Sequence, residues 1–358
     1  MSVFLMAGGG TGGHVVPGLA VARELRERGH EAVFVGTKKG YEAKLVPASG
    51  FPIEWIEIGG LKRVGLAQTV KTLWQLPLST LRVIGLMRER RPAGVFSMGG
   101  YVAGPVMLAA RLLRAPVILM EPNAMPGLTS RRLGKWVHRA LLSFEQAIPY
   151  FPAGSTELTG LPVRQEFFDL AVKARGDVLS ILITGGSRGS RTLNRATRDS
   201  WRLFAAGPHR VRLIHQTGAD DYEEIRRDFA ATGLSGEVHP FIVEMPGAYA
   251  QADVIVSRSG AGAVAELAAA GKPSILVPFP FAADDHQFHN ATALADAGAA
   301  RLVRDHEMNG QRLFDEVMAM AEPGVLERMG HAARRLARPG AAKRAADLLE
   351  SLSFPNEE

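Results

Sequence analysis

At 358 residues, 46% hydrophobic and 22% charged, the chain has the composition of an ordinary globular protein with enough core for two domains. It has no cysteine, which excludes disulfides, thiolate nucleophiles and cysteine-ligated zinc and leaves the redox compartment open. Its net charge of +6 is uneven: residues 1–160 hold 19 Lys and Arg against 10 Asp and Glu, and 161–358 hold 23 against 26, so the first half suits an anionic membrane surface or a phosphorylated substrate.

Strand-like apolar runs alternate with helix-like stretches from the start. Val3–Ala7 follows Met1-Ser2 with no basic segment or cleavage motif, so secretion is not expected and a cytosolic location is the default. Further strands are predicted at Ala32–Val35, Gly94–Ser97 and Val117–Met120, with helices such as Val16–Arg28 and Pro105–Leu113 between them. The pattern restarts with strands at Leu179–Thr184, Arg212–His215, Val254–Ser257 and Ser274–Val277. This rhythm gives parallel sheets covered on both faces, so the fold class is α/β, with two doubly wound Rossmann-like domains. Turn residues at Leu158–Arg164 place the boundary: residues 1–160 form one domain, 161–340 the other, and a last helix, about 341–358, is free to pack back on the first.

Three glycine-rich turns each follow a strand and precede a helix: Gly8–His14, Gly185–Ser190 and Ser257–Gly262. Glycine lets the backbone approach a bound group, and the helix that follows offers unpaired N–H donors to an anion. Gly8, Gly10 and Gly13 satisfy a dinucleotide fingerprint, but Gly36, Thr37, Lys38 and Lys39 end the second strand where a NAD site wants an acid, so NADP is the better match. Alternatively these glycines serve only a tight turn. Pro17 fits the first helical turn, which puts His14 at the positive helix end, where the neutral imidazole is favoured and is a candidate general base.

Val64–Met87 is largely apolar yet interrupted by Lys71, Gln75, Pro77 and Arg82, so it is a poor transmembrane span. With Lys62, Arg63, Arg88, Arg90 and Arg91 around it, it suits a surface lying on a bilayer; an amphipathic core-facing helix pair is the alternative. Asp284-Asp285-His286 are adjacent and cannot easily converge on one ion, the chain has no Asp-x-Asp, and neither a metal nor a cofactor is expected. The aromatic and basic interleaving of a nucleic-acid groove is not visible.

Eight motifs in order carry a resemblance over nearly the whole chain: GGGTGGHVVPGLAVA, MGGYVAGP at Met98–Pro105, EPN at Glu121–Asn123, PVR at Pro162–Arg164, GGSRGS, HQTG at His215–Gly218, SRSGAGAVAE at Ser257–Glu266 and PFPFAADDHQFHNA at Pro278–Ala291. Together they resemble the MurG family of N-acetylglucosaminyltransferases. The resemblance implies a GT-B glycosyltransferase with a cleft between its domains. Such an enzyme moves GlcNAc, with inversion, from UDP-GlcNAc to the 4-hydroxyl of MurNAc in undecaprenyl-pyrophosphoryl-MurNAc-pentapeptide (lipid I), at the cytoplasmic face of the membrane.

By that resemblance Glu266 is the ribose ligand, Ser187 and Ala261, Gly262, Ala263, Val264 and Ala265 cradle the donor pyrophosphate, and Ile242 meets the uracil through its backbone. Asn123 and Gln287 become readers of sugar hydroxyls and Arg164 a partner of the donor phosphates, with Thr11, Gly12 and Gly13 also near the donor. Gly10, Thr11, Gly12, Gly13, His14, Gly99, Gly100 and Tyr101 form the acceptor set. Leu161, Pro122 and Arg188 depart from the residues associated with the family at those positions, and none removes a group with a chemical role. An NADP-dependent oxidoreductase leaves the second and third glycine turns unexplained, and a non-enzymatic sugar-nucleotide-binding protein leaves His14 without a use.

Overall fold

The computed structural model describes residues 1–60, 66–171, 173 and 176–353, and these divide into two compact units: Met1–Pro162 with the described part of Arg338–Glu358, and Val163–Ala337. In the first unit seven parallel strands, β1 (Val3–Ala7), β2 (Glu31–Gly36), β3 (Ile53–Trp55), β4 (Gly94–Ser97), β5 (Val117–Glu121), β6 (Arg139–Leu142) and β7 (Thr156–Leu158), lie in the order β3-β2-β1-β4-β5-β6-β7. Helices cross over both faces, so the central strands are apolar on both sides: Leu5 pairs with Val33 and Val95, all three fully buried. The strand order reverses between β1 and β4. In an open parallel sheet the loops at such a point diverge and leave a crevice beyond the strand ends.

The second unit repeats the plan with β8 (Val178–Thr184), β9 (Arg210–Gln216), β10 (Ser235–His239), β11 (Val254–Ser257), β12 (Ser274–Leu276) and β13 (Ala300–Leu302), all parallel, in the order β10-β9-β8-β11-β12-β13. Its own core gathers Ile181, Ile183, Leu213, Val254, Val256 and Ile275. The reversal lies between β8 and β11. Those strands lead into the second and third glycine turns.

Local structure differs from expectation at two prolines. The first long helix spans Gly12–Glu27, so Pro17 lies inside it and not in its first turn. Thr11 carbonyl accepts from the amides of both His14 and Val15 and starts the helix early. Pro17, lacking an N–H, therefore leaves the Gly13 carbonyl without the i→i−4 donor it would otherwise have. The helix Gly100–Leu113 also begins before the expected Pro105, which occupies the same sixth position in it.

Leu66–Arg90 is one helix with Pro77 inside it, where a helix pair was the alternative. Val83 and Met87 are buried on one face, whereas Trp74, Leu78 and Leu81 are 74%, 66% and 64% exposed on another. Lys62, Arg63 and Val64 lie outside the described residues. Among the described residues no helix is long and apolar enough to cross a membrane.

The last helix, Ala341–Ser353, packs on Gly12–Glu27 within the first unit. Ala345, Ala346 and Leu349 are buried there, and Arg28 reaches Asp347 at 2.7 Å and Glu350 at 2.6 Å. His30 Nε2 lies 2.8 Å from the same Glu350.

Candidate active site

In the first unit the loops after β1 and β4 come together at the strand reversal. A Cβ on Gly100 would stand 3.6 Å from the His14 ring, and one on Gly10 would strike the Tyr101 ring at 2.7 Å, so His14, Gly100, Gly10 and Tyr101 share one surface. Thr129 Oγ1 donates to the Gly100 carbonyl at 2.8 Å, and Gly99 N–H donates to Ser97 Oγ at 3.1 Å, which fixes the β4 loop. His14 Nδ1 is 3.1 Å from Thr11 Oγ1. When Nδ1 carries the proton and donates to that hydroxyl, Nε2 keeps a lone pair for an incoming O–H; the opposite tautomer has no base at Nε2.

Beneath these loops lies a carboxylate that the glycine motifs concealed. Glu42 is fully buried; its Oε2 accepts the Gly10 amide at 2.8 Å, and its Oε1 accepts the amide and hydroxyl of Thr37 at 3.0 and 2.8 Å. A Cβ on Gly40 would fall 2.0 Å from Glu42 Oε2, and one on Gly9 2.6 Å from Oε1. Glycine is needed here to admit a protein carboxylate, not only a ligand. The Gly10 amide, expected to serve the acceptor, thus points inward. The acid sought at the end of β2 exists, a few residues later, and it holds loop backbone where a dinucleotide site would have it hold ribose.

Burial raises the Tyr101 phenol above its ordinary value. Its hydroxyl is 3.3 Å from Thr37 Oγ1. Asn123 follows β5, and both its backbone amide and its Nδ2 donate to Glu121 Oε1, at 3.0 and 3.2 Å. Burial, partly offset by the donors around it, pushes the Glu121 carboxyl up.

In the second unit the GGSRGS turn is shaped by its neighbour. A Cβ on Gly189 would lie 1.8 Å from the Thr217 carbonyl, and Gly189 has φ +75°, so no side chain fits where this turn meets HQTG. Ser190 caps the helix Arg191–Ala206, its Oγ accepting from Leu193 N–H at 3.3 Å, while Ser187 is exposed on the turn. Arg258 ties this turn to the third: it donates to Ser190 Oγ at 2.7 Å, to the Val277 carbonyl at 3.0 Å, and to Asp305. Arg258 lies inside the third glycine turn without a role of its own having been read from the sequence, and Asp305 sits among loop residues of ordinary polarity.

The third turn ends at Gly260, which precedes the helix Ala261–Ala270 with no side-chain cap. A Cβ at Gly262 would meet nothing within 4 Å, and the first-turn amides of Ala261, Gly262 and Ala263 have no acceptor within the helix. Gln287 lies beside them: its Oε1 accepts from Phe279 N–H at 3.0 Å, and its Nε2 is 3.9 Å from a Cβ at Gly260. Val264 is buried.

Glu266 stands one turn further along the same helix. No hydrogen bond or ion pair engages its carboxyl among the described residues, and burial, partly offset by Arg164, pushes it up to about 7. Arg164 is exposed, its guanidinium 5.2 Å from the Phe167 ring centre. Ile242 follows β10, and its N–H donates to Gln216 Oε1 at 2.7 Å. Gln216 Nε2 in turn donates to Thr184 Oγ1 and to the Gly186 carbonyl, so one buried amide links the Ile242 loop to the GGSRGS turn.

Asp284 and Asp285 both have positive φ, 53° and 51°, a tight turn before the helix His286–Asp296, and Asp285 is 3.2 Å from Arg304. Among the described residues no three His, Asp or Glu side chains gather into a cluster able to hold a metal.

Two doubly wound parallel sheets, each with glycine turns at its strand reversal, are the architecture of the GT-B class of glycosyltransferases. The matching family models are the glycosyltransferase family 28 N-terminal domain over residues 4–142 and C-terminal domain over 180–350. A relative from Solibacter usitatus, a UDP-N-acetylglucosamine--N-acetylmuramyl-(pentapeptide) pyrophosphoryl-undecaprenol N-acetylglucosamine transferase, is 61% identical over 98% of this chain and 96% of its own. The same enzyme from Myxococcus xanthus is 40% identical over 98% of this chain and 93% of its own. The crystal structure of MurG from Acinetobacter baumannii superposes with a TM-score of 0.85 at 32% identity, covering 98% of this chain and 99% of that one. The chain belongs to glycosyltransferase family 28, in its MurG branch.

Proposed function

We propose that this protein transfers GlcNAc from UDP-GlcNAc to the 4-hydroxyl of MurNAc in undecaprenyl-pyrophosphoryl-MurNAc-pentapeptide, with inversion at the anomeric carbon. The observation that carries the donor half is Glu266: a half-buried carboxyl without a protein partner is costly unless a ligand engages it, and two ribose hydroxyls supply the missing donors. Gln287, Ser187 and the amides of Ala261–Ala263 receive the sugar and the pyrophosphate, and Arg164 adds positive charge. The Ile242 carbonyl accepts from the uracil N3–H.

In the first unit the acceptor's pyrophosphate meets the amides of Gly12 and Gly13 at the helix start, and its sugar lies against His14, Gly100 and Tyr101. O4 of the acceptor attacks the anomeric carbon as the bond to the UDP oxygen breaks; the hydroxyl proton goes to His14 Nε2, and the departing charge is stabilised by preorganised amides. Asn123 orients sugar hydroxyls.

Because the acceptor is anchored in lipid, the enzyme works at the cytoplasmic face of the membrane as a peripheral protein. The exposed Trp74, Leu78 and Leu81, with Arg82 and Arg88 on the same helix, seat it there. Titrating UDP-GlcNAc and NADPH against the wild type and Glu266→Ala tests the donor site. UDP-GlcNAc binding that is lost in the variant supports it; NADPH binding indifferent to Glu266 sinks it.

A further inference from the structure

The acceptor surface rests on a chain of three side chains from separate segments. Glu42, at the first turn of the helix Glu42–Ala48, accepts the Gly10 amide on one oxygen and both Thr37 donors on the other. No cation lies within ion-pairing distance of it among the described residues, and three loop donors engage its two oxygens. Thr37 closes β2 and Tyr101 opens the helix after β4; their hydroxyl oxygens are 3.3 Å apart.

The direction of this chain follows from valence. Thr37 has one hydroxyl hydrogen, and it goes to Glu42 Oε1 at 2.8 Å. Thr37 Oγ1 therefore has only lone pairs for Tyr101. The phenol hydrogen of Tyr101 must point inward to Thr37, which leaves Tyr101 Oη with lone pairs alone toward solvent.

We infer that Glu42 and Thr37 are positioning residues that order the Tyr101 hydroxyl, so that its oxygen is a hydrogen-bond acceptor for a hydroxyl or amide hydrogen of the incoming acceptor substrate. Hydrogen-bonded chains polarise each member, which strengthens the outward lone pair. The same carboxylate holds the Gly10 amide, so loop shape and phenol direction are set together. The inference rests on the acceptor-site reading above and deepens it.

The test measures KM for a soluble lipid I analogue and for UDP-GlcNAc in the full chain. Tyr101→Phe and Thr37→Val each raise the acceptor KM about tenfold, the value of one hydrogen bond, and leave the donor KM unchanged. The double variant is no worse than either single one, because both remove the same bond. Thr37→Ser, which restores the hydroxyl, recovers the acceptor KM.

Unchanged acceptor KM in Tyr101→Phe would overturn the acceptor-site reading and this inference with it. A raised KM in Tyr101→Phe with an unchanged KM in Thr37→Val would overturn the relay and leave the site standing. Additive effects in the double variant would do the same. Should Thr37→Val fold poorly, Glu42→Gln replaces it: an amide presents one acceptor oxygen to donors on two sides, so it too must raise the acceptor KM, and a loss confined to kcat would count against the relay.

Discussion

Glu266 concentrates the residue-scale argument. Its carboxyl titrates near 7 in the fold and near the ordinary glutamate value when unfolded, so the fold binds a proton that the unfolded chain does not between those values. Stability of the second unit therefore falls as pH rises through that window. Glu266→Gln removes the charge and is expected to raise the melting temperature at pH 8 but not at pH 4, with a gain on the order of 1–2 kcal/mol after allowance for its partial exposure. UDP-GlcNAc titrations should show the reverse cost: Glu266→Gln weakens binding, and wild-type affinity declines as pH falls below about 7, because a protonated carboxyl accepts poorly. His14→Ala acts on another quantity. Removal of a general base lowers kcat by roughly 10²–10⁴ while UDP-GlcNAc binding stays unchanged, a split that steady-state kinetics with separate donor titration reads directly.

Elements carry the proposed membrane contact and the closure of the first unit. The helix Leu66–Arg90 buries Val83 and Met87 and exposes Trp74, Leu78 and Leu81, so the two faces have separable uses. Replacing Trp74, Leu78 and Leu81 by Ser is expected to leave thermal stability within a few degrees and to abolish flotation with vesicles containing anionic lipid; flotation that persists contradicts the assignment. Leu349 of the last helix is 1% exposed against the first unit. Leu349→Ala should cost about 2–5 kcal/mol by denaturant unfolding, as expected for a buried leucine.

Much of this architecture was legible in the sequence, for a physical reason. β1, β4 and β11 lie inside their sheets and are apolar on both faces, so their runs stand out, and their predicted bounds agree with the observed ones. β3, β7, β10 and β13 escaped notice because they are sheet edges of three to five residues with polar members, as in Ser-Gly-Glu-Val-His of β10. The expected helix starts, Val16 and Pro105, fall late, since proline suggests a first turn and the preceding glycines hide that the helix has begun. The glycine turns identified the two strand reversals, yet their close approaches could not be foreseen. Gly9 and Gly40 answer to Glu42, and Gly189 to Thr217, partners remote in sequence or plain in composition.

At the scale of the whole molecule the two units have separate cores, and their ligands are expected to act on them separately. In calorimetry a saturating donor at about 100 times its Kd stabilises the second unit by about 2.7 kcal/mol and leaves the transition of the first in place. The uneven charge has a consequence at the same scale. If the first unit, rich in Lys and Arg, meets anionic lipid as proposed, vesicle binding weakens as salt rises, while UDP-GlcNAc binding at the proposed donor site is expected to change less.

The measurement that tests the central claim most directly is product analysis after incubation with UDP-GlcNAc and a soluble lipid I analogue. The account predicts a GlcNAc residue joined by a β linkage to O4 of MurNAc, with one UDP released per disaccharide and none released without acceptor. An α linkage, UDP release indifferent to the acceptor, or turnover that survives Glu266→Ala unchanged would contradict it.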